Sequence, residues 1–265
     1  LLYAQAVNDL AGIRAFFRAY GFVVVRDAVP ADLVAAAQDA ILATVGLQRA
    51  QLVPDAGAPG ALTAPSALLD ALHWPNVCGS HYNVAHGFIG YGDALDAAAF
   101  AVRQYEPLAD VFRALYGTPH VWSRLCRYGL MRPTRGLDGG RTDRPAWRTD
   151  DGFVHFDQNP WDEPEFCRIQ GVLALTPHTA TSGGFHCIPG FQHFYEEYAA
   201  AHAARRQSGP LIDLMDQADK RFAQRITMRP GSIVLWDSRL AHGNWPNDDS
   251  SFRMCMYHRF LVFAK

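Results

Sequence analysis

The sequence predicts a mostly β fold, a sandwich or barrel, with helices packed on its outside. From His120 onward, short runs of β-branched and aromatic residues alternate with glycine- and proline-containing turns, which is typical of sandwiches and barrels. Before that point the spacing of apolar residues is mainly helical, and no internal repeat is present. We therefore expect one domain over 1–265, in which a helix-rich part, about 1–118, packs on a β core, about 119–265.

Helices and one strand are predicted in the first part of the chain. Gly21 and Gly117 are expected to end helices, because glycine readily adopts the left-handed conformation found at helix C-termini. Pro30 is acceptable in the first turn of a helix. The predicted helices are 10–20, about 30–45, 93–103 and 107–116, and a β-branched strand lies at 22–25.

Strands separated by turns are predicted in the second part. They lie at 122–131, 153–157, 167–175, 184–188, 231–236 and 252–263. A helical insertion near 191–221 interrupts them, and 132–151 is a long loop rich in Gly, Pro, Arg and Asp. A loop of that length inside a compact domain is usually either disordered or functional.

Composition narrows the class of protein. The net charge of -2 gives no reason to expect nucleic acid or an anionic membrane as a partner. Five scattered cysteines without a CxxC pair fit a reducing compartment and argue against a disulfide framework. No apolar run approaches the roughly 20 residues of a membrane helix. We expect a cytoplasmic protein that acts on a small molecule; because the chain begins at Leu1 rather than Met, N-terminal targeting stays open, and no oligomeric state is indicated.

Two histidines and an aspartate form the main candidate site. His155 and Asp157 lie on a predicted strand, where residues i and i+2 project from the same face. His242 follows the apolar run 232–236, at the end of another predicted strand. Two histidines and one carboxylate, with coordination positions left open, are the ligand set of non-haem Fe(II) oxygenases. A single histidine or HxD pair is weak evidence, so the prediction depends on the combination.

An arginine downstream of the second histidine suggests what else binds there. Arg253 lies eleven residues beyond His242 and opens an apolar predicted strand. Such an arginine is often a surface or ion-pair residue. A guanidinium, however, binds a carboxylate through two parallel hydrogen bonds in a fixed fork. A dicarboxylate that chelates iron at one end needs such a partner at its other end, and this makes Arg253 the candidate for holding 2-oxoglutarate.

Four segments carry a resemblance to a known family. They are 21–34, 155–158 (HFDQ), 182–193 (SGGFHCIPGFQH) and 237–247 (DSRLAHGNWPN), the last taken together with Arg253. Through them, and over most of its length, the chain resembles the phytanoyl-CoA dioxygenase family of Fe(II)/2-oxoglutarate-dependent oxygenases. The resemblance implies a double-stranded β-helix core (a jelly-roll, cupin-like fold) flanked by helices, with iron held by His155, Asp157 and His242.

The resemblance also implies a cosubstrate site and a reaction. Arg253 would grip the far carboxylate of 2-oxoglutarate, with Asn244 and Arg132 as further candidates beside it. With O₂, such an enzyme oxidises a C–H bond of a small molecule, most often by hydroxylation, and releases succinate and CO₂. Relatives that halogenate replace the carboxylate ligand by a small residue, so Asp157 argues against halogenation. The unusual segment 73–90 and the insertion at 191–221 favour a role in natural-product tailoring, and 73–90 is a candidate substrate mouth.

Two other functions stay open at this point. A catalytically silent barrel that binds a ligand or partner is expected to show a broken metal set, whereas His155, Asp157, His242 and Arg253 are all present. A metal-dependent hydrolase or isomerase on a cupin-like barrel would usually have different ligands, and would not require an arginine at this place.

Overall fold

Two β-sheets lie face to face and carry the candidate site between them. The computed structural model of the chain describes residues 4–54, 59–71, 82–83, 87–89, 94–124, 127–136, 143–149, 154–209, 212–213 and 217–262. The strands, in chain order, are β1 (Ala4–Ala6), β2 (Phe22–Arg26), β3 (Val53–Pro54), β4 (Leu62–Thr63), β5 (Tyr82–Asn83), β6 (Phe88–Ile89), β7 (Val121–Ser123), β8 (Tyr128–Met131), β9 (Val154–Phe156), β10 (Ile169–Ala174), β11 (Gly184–Cys187), β12 (Ile212–Asp213), β13 (Gln224–Arg225), β14 (Ile233–Asp237), β15 (His242–Trp245) and β16 (Arg253–Val262).

The strand order places the two ends of the chain in one sheet. Within the described residues the larger sheet runs β1-β2-β14-β10-β16-β8-β6-β5, with β7 also paired to β16, and the smaller sheet runs β12-β9-β15-β11-β13. The strands β3 and β4 form a separate hairpin. These sheets confirm the mostly β class. The pairing of β2 with β14 joins the N-terminal part to the β core. The single domain over 1–265 stays a prediction.

Most helices cover the outer face of the larger sheet. The helices are α1 (Leu10–Tyr20), α2 (Ala31–Thr44), α3 (Ser66–Ala71), α4 (Ala97–Arg103), α5 (Glu106–Tyr116) and α6 (Tyr195–Ala201), and α6 packs instead on the smaller sheet. Short 3-10 helices lie at Arg49–Gln51, Pro145–Trp147, Phe191–Phe194, Ala203–Arg205 and Gln217–Phe222. The helix α1 begins where the Asp9 side chain accepts a hydrogen bond from the Gly12 N–H, and it ends at Gly21 with φ 74°.

Strand alternation on the larger sheet separates two of the three apolar cores of the described residues. On β10, Leu173 packs outward with residues of α1, α2 and α5, whereas Val172 packs inward against side chains of the smaller sheet. In the outer core, Phe112 of α5 stacks on Phe260 of β16 with ring centroids 4.2 Å apart. Burying such a side chain contributes about 1.5–3 kcal/mol. The inner core is smaller and leaves polar side chains between the sheets.

Several predicted elements need correction. The predicted strand 122–131 is two strands, β7 and β8, which pair with different parts of the long strand β16. Pro30 is the N-cap of α2 rather than a residue of its first turn. The predicted insertion 191–221 contains the strand β12. The strands β12, β13 and β15 were not predicted, because two to four residues of mixed polarity show no clear alternation. None of the helices in the described residues is long and apolar enough to cross a membrane.

Candidate metal centre

Two neighbouring strands of the smaller sheet bring the two histidines together. The strands β9 and β15 are antiparallel, and His242 stands directly opposite His155. Their rings lie with centroids 4.5 Å apart. The sequence predicts His242 at the end of the strand that precedes it. Instead it opens β15, a strand of its own, after a turn that follows β14. The short strand explains how residues 87 positions apart become cross-strand neighbours.

Asp157 completes a three-residue cluster. It lies one residue past the end of β9, and one carboxylate oxygen is 3.7 Å from His155 Nε2. The other oxygen is 3.2 Å from His242 Nε2. One ligand atom from each of the three residues falls within 4.8 Å of the others, a spacing at which the set could hold one metal ion. The histidines are nearly buried, whereas 24% of the Asp157 side chain is exposed, so the cluster opens on the carboxylate side.

The electrostatics of the cluster keep the carboxylate ionised. Burial opposes ionisation of Asp157, but the hydrogen bond from His242 and the charges of the two imidazoles outweigh it and hold its pKa well below the usual range. The amide of Gln170, on β10 of the facing sheet, adds a further hydrogen bond to Asp157. A carboxylate that is charged at all ordinary pH values is ready to bind a cation.

His242 is oriented by the main chain. Its Nδ1 lies 2.8 Å from the carbonyl oxygen of Leu240, which can only accept a hydrogen bond, so Nδ1 carries a proton. Its Nε2 is thereby directed at Asp157. Trp236 and Phe185 pack against the same imidazole, with ring centroids 4.9 Å and 5.8 Å away. A ring held by a carbonyl on one edge and by aromatic rings on its faces has little freedom to rotate away from the cluster.

Arg253 lies at the start of β16 and is fully buried. Its Nε donates to Nε2 of His178 at 3.2 Å. Burial, and then the nearby charge of Arg253, hold the pKa of His178 well below its usual range, so this imidazole is neutral and can accept. Neither Nη1 nor Nη2 of Arg253 has a hydrogen-bond partner. Among the described residues no carboxylate forms an ion pair with Arg253, which leaves a buried positive charge facing the space between the sheets.

The remaining two predicted residues stand in different surroundings. Asn244 is two residues after His242 on β15, on the same face, and its buried Oδ1 has no hydrogen-bond partner. Arg132 follows β8 directly and is buried; its guanidinium lies 4.8 Å from the ring centroid of Trp147. The structure therefore directs Asn244 to the inner space and stacks Arg132 on the 3-10 helix of the 132–151 segment.

Two polar residues between the sheets were not predicted as site residues. Gln170 and Trp236 touch the predicted site residues, yet neither belongs to a recognisable motif. The alternation on the predicted strands 167–175 and 231–236 was a usable signal, since it puts Gln170 and Trp236 on one face of each strand. This alternation does not show which residues of the other sheet these side chains face.

Most of the candidate substrate mouth, 73–90, lies outside the described residues; its described part is 82–83 and 87–89. Within that part, Phe88 packs edge-on against Tyr257 of β16 with ring centroids 5.2 Å apart. The described part of the predicted loop 132–151 forms two bidentate ion pairs. Arg144 pairs with Asp70, and Arg148 pairs with Asp248.

The fold and the cluster define a class: a mostly β protein with a His–Asp–His candidate metal site between two facing sheets. Within this class, the model of the phytanoyl-CoA dioxygenase (PhyH) family matches residues 17–255, and the chain belongs to that family. This confirms the resemblance found in the sequence, and the matched range includes every predicted site residue.

Two curated proteins are similar over part of the chain. A putative phytanoyl-CoA dioxygenase of Dictyostelium discoideum is 29% identical over 145 residues, covering 43% of this chain and 41% of its own length. The Ava biosynthesis cluster protein O of Aspergillus versicolor is 24% identical over 166 residues, covering 57% of this chain and 50% of its own length. The match thus spans between two fifths and half of the length of these relatives.

Solved structures share the fold. The epimerase SnoN, crystallised with Fe3+, alpha-ketoglutarate and nogalamycin RO, gives a TM-score of 0.57 at 13% identity and covers 96% of this chain and 83% of its own. AviO1 from Streptomyces viridochromogenes Tue57 gives 0.54 at 16% identity and covers 97% of this chain and 96% of its own. These likenesses confirm the predicted cupin-like double-stranded β-helix.

Proposed function

We propose that this protein is an Fe(II)- and 2-oxoglutarate-dependent dioxygenase that oxidises a C–H bond of a small molecule. The observation that carries the proposal is the convergence of His155, Asp157 and His242 at one point between the sheets, in a chain that belongs to the phytanoyl-CoA dioxygenase family. Two imidazoles and one carboxylate on one side of a metal leave its other side open for cosubstrate, O₂ and substrate access.

The three residues suit a divalent metal in charge and in geometry. Asp157 supplies a carboxylate whose depressed pKa keeps it ionised. His242 carries its proton on Nδ1, which leaves Nε2 as the ligand atom once a metal replaces the proton there. The Nε2 of His155 faces the same carboxylate. We assign all three as metal ligands.

Arg253 suits the far carboxylate of 2-oxoglutarate. A fully buried guanidinium with two unpartnered Nη atoms and no described carboxylate partner is costly unless a ligand supplies the missing charge. A carboxylate accepts two parallel hydrogen bonds from such a fork. The buried Oδ1 of Asn244, on the same strand face as His242, can accept a hydrogen bond from a bound hydroxyl or water nearby. Arg132 stays a prediction as a cosubstrate residue.

When bound, iron and 2-oxoglutarate supply the activation of O₂, with succinate and CO₂ as products. The chain supplies position and shielding. The rings of Trp236 and Phe185 cover His242 and exclude water from one side of the cluster. Gln170 hydrogen-bonds to Asp157 from the facing sheet and so restrains the carboxylate.

We further propose natural-product tailoring as the biological context. The support is indirect: one relative is named as a protein of a biosynthesis cluster, and SnoN was crystallised with nogalamycin RO. Hydroxylation is the proposed outcome. SnoN is an epimerase, so a fold of this kind also serves a reaction that leaves the substrate mass unchanged.

The first experiment tests metal and cosubstrate together. The protein is mixed anaerobically with Fe(II) and 2-oxoglutarate, and the weak visible charge-transfer band of the chelate is recorded. We expect a band for the parent protein and for Asp32→Asn, a matched change on the exposed surface of α2, and no band for Asp157→Ala. A parent protein without a band and without 2-oxoglutarate-dependent succinate release would be a silent binding protein, and the proposal would fail.

Mass spectrometry then separates the reaction types. Hydroxylation adds one oxygen atom from ¹⁸O₂ to the product, whereas epimerisation changes chirality at constant mass. A third result is a compound that stimulates succinate release without changing its own mass. That result would support 2-oxoglutarate as the cosubstrate but contradict hydroxylation.

A further inference from the structure

A row of three polar side chains crosses the inner face of the larger sheet. In the strand register, Gln170 of β10 stands next to Trp236 of β14 on one side and next to Arg259 of β16 on the other. The neighbours of Gln170 and Trp236 along their strands pack outward, so these two side chains point inward. Arg259 lies an even number of residues from Arg253 on β16 and so points to the same inner face. The three side chains therefore form one line across adjacent strands, on the face that looks at the smaller sheet.

This row lies over the candidate metal centre. Gln170, its middle member, hydrogen-bonds to Asp157. Trp236, at one end, packs on the ring of His242 at 4.9 Å. Arg259, at the other end, is close enough to Asp157 for the carboxylate charge to act on it. A molecule held above the metal would contact this row.

Each member of the row has a buried polar atom without a hydrogen-bond partner. These atoms are Trp236 Nε1, Gln170 Oε1 and Arg259 Nε. Buried polar groups are nearly always hydrogen-bonded, and each one that is not costs about 1–3 kcal/mol. Two donors and one acceptor on neighbouring strands of one sheet face are the arrangement expected where a ligand completes the hydrogen bonds.

Arg259 is the charged member and lacks a counter-charge. Within the described part of the chain no carboxylate forms an ion pair with it, in contrast to Arg144 and Arg148, which are paired bidentately. Burial, together with the charges of Arg168 and Arg124, lowers its pKa, while Asp157 acts in the opposite direction. Once a divalent cation takes up the charge of Asp157, the positive charge of Arg259 is left unbalanced.

The cosubstrate cannot serve both arginines. Arg253 and Arg259 lie six residues apart on one strand, which separates their Cα atoms by roughly 20 Å. Side chains on one face of a strand stand roughly perpendicular to the sheet, so the two guanidinium groups are farther apart than a five-carbon dicarboxylate bound to the metal and to Arg253 extends. An anion bound at Arg259 would therefore come from another molecule.

We propose that the row Trp236–Gln170–Arg259 is the substrate-recognition wall of this enzyme, and that Arg259 binds a carboxylate of the substrate. The substrate class is thus an organic acid, in which the carboxylate pairs with the guanidinium and the oxidised C–H bond lies on the side towards Asp157. The proposal rests on the proposed metal and cosubstrate function. It adds a specificity-determining residue and a charge for the unknown substrate.

Acetate and acetamide provide a matched pair of probes, since they share a shape and differ in charge. The protein is loaded with Mn(II), which is paramagnetic, and with saturating 2-oxoglutarate, which occupies Arg253 and part of the metal. The relaxation of the probe methyl protons is then measured by NMR, because it increases only for molecules that bind near the metal. We expect acetate, and not acetamide, to show the increase.

The variants Arg259→Gln and Arg259→Lys test the assignment, with Arg14→Gln on the exposed face of α1 as the control of equal charge change. Loss of a charge-assisted hydrogen bond should weaken acetate binding roughly tenfold or more in Arg259→Gln. Arg259→Lys should bind with intermediate affinity, since it keeps the charge but not the fork. Arg14→Gln should bind as the parent does.

Three results would overturn the inference. They are equal relaxation of acetate and acetamide, acetate binding that survives in Arg259→Gln, and a loss of 2-oxoglutarate affinity in Arg259→Gln, which would assign this arginine to the cosubstrate. Relaxation of the 2-oxoglutarate protons by Mn(II) is recorded in the same samples. If it is absent, the proposed function itself fails; if it is present and acetate does not respond, only the substrate assignment fails.

Discussion

Replacing Arg253 by methionine should make the ligand-free protein more stable and the cosubstrate complex much weaker. Arg253 is fully buried, and its two Nη atoms have no partner. Two buried Nη atoms without hydrogen bonds cost at least about 1 kcal/mol, and methionine fills a similar volume without that cost. Because a chain of this size gains about 2–4 °C per kcal/mol, the melting temperature of the Mn(II) form should rise by about 2 °C or more.

The effect on the cosubstrate has the opposite sign. Two charge-assisted hydrogen bonds, at about 1.5–3 kcal/mol each, contribute about 3–6 kcal/mol to binding. Their loss corresponds to a dissociation constant roughly 100- to 10,000-fold higher. With 2-oxoglutarate at 100 times the parent dissociation constant, the parent protein gains about 2.7 kcal/mol of stability, whereas Arg253→Met should gain about 0.4 kcal/mol or less.

Thermal unfolding with and without 2-oxoglutarate measures both effects on one sample. Arg14→Met, on the exposed surface of α1, controls for the loss of one positive charge. The opposite result is an Arg253→Met protein that melts lower than the parent without ligand and is still stabilised by 2-oxoglutarate. That result would refute the assignment of Arg253 as a buried charge that binds the cosubstrate carboxylate.

Acidification and a core truncation give two further tests. The depressed pKa of Asp157 adds stability to the metal-free protein that is complete above the unfolded value, about 3.9, and is lost as pH falls below it. Urea unfolding of the metal-free protein at pH 7 and at pH 3 measures this loss; an Asp157→Asn variant that loses as much stability on acidification as the parent would contradict the assignment. Phe112→Ala removes a stacked ring from the outer core and should cost about 3–5 kcal/mol in urea unfolding, without changing the Fe(II) charge-transfer band.

The sequence by itself determined the class of fold and the candidate site residues. His155 and Asp157 lie on one side of the chain because the side-chain period of extended backbone is two, and this holds although Asp157 is one residue past the end of β9. The helices α1 and α5 follow from local apolar spacing and the glycines that end them. His242 and Arg253 were found through their chemistry and through the resemblance to the phytanoyl-CoA dioxygenase family.

Only the tertiary structure decided how the strands pair. The predicted strand 122–131 is broken in two because β16 is long enough to pair with β7 and with β8 at different positions. Residues 122–131 themselves carry no signal for this break. His242 meets His155 through the register of β15 on β9. The row of Trp236, Gln170 and Arg259 has no sequence signature, since its members lie on three strands separated by dozens of residues and become neighbours only through cross-strand hydrogen bonds.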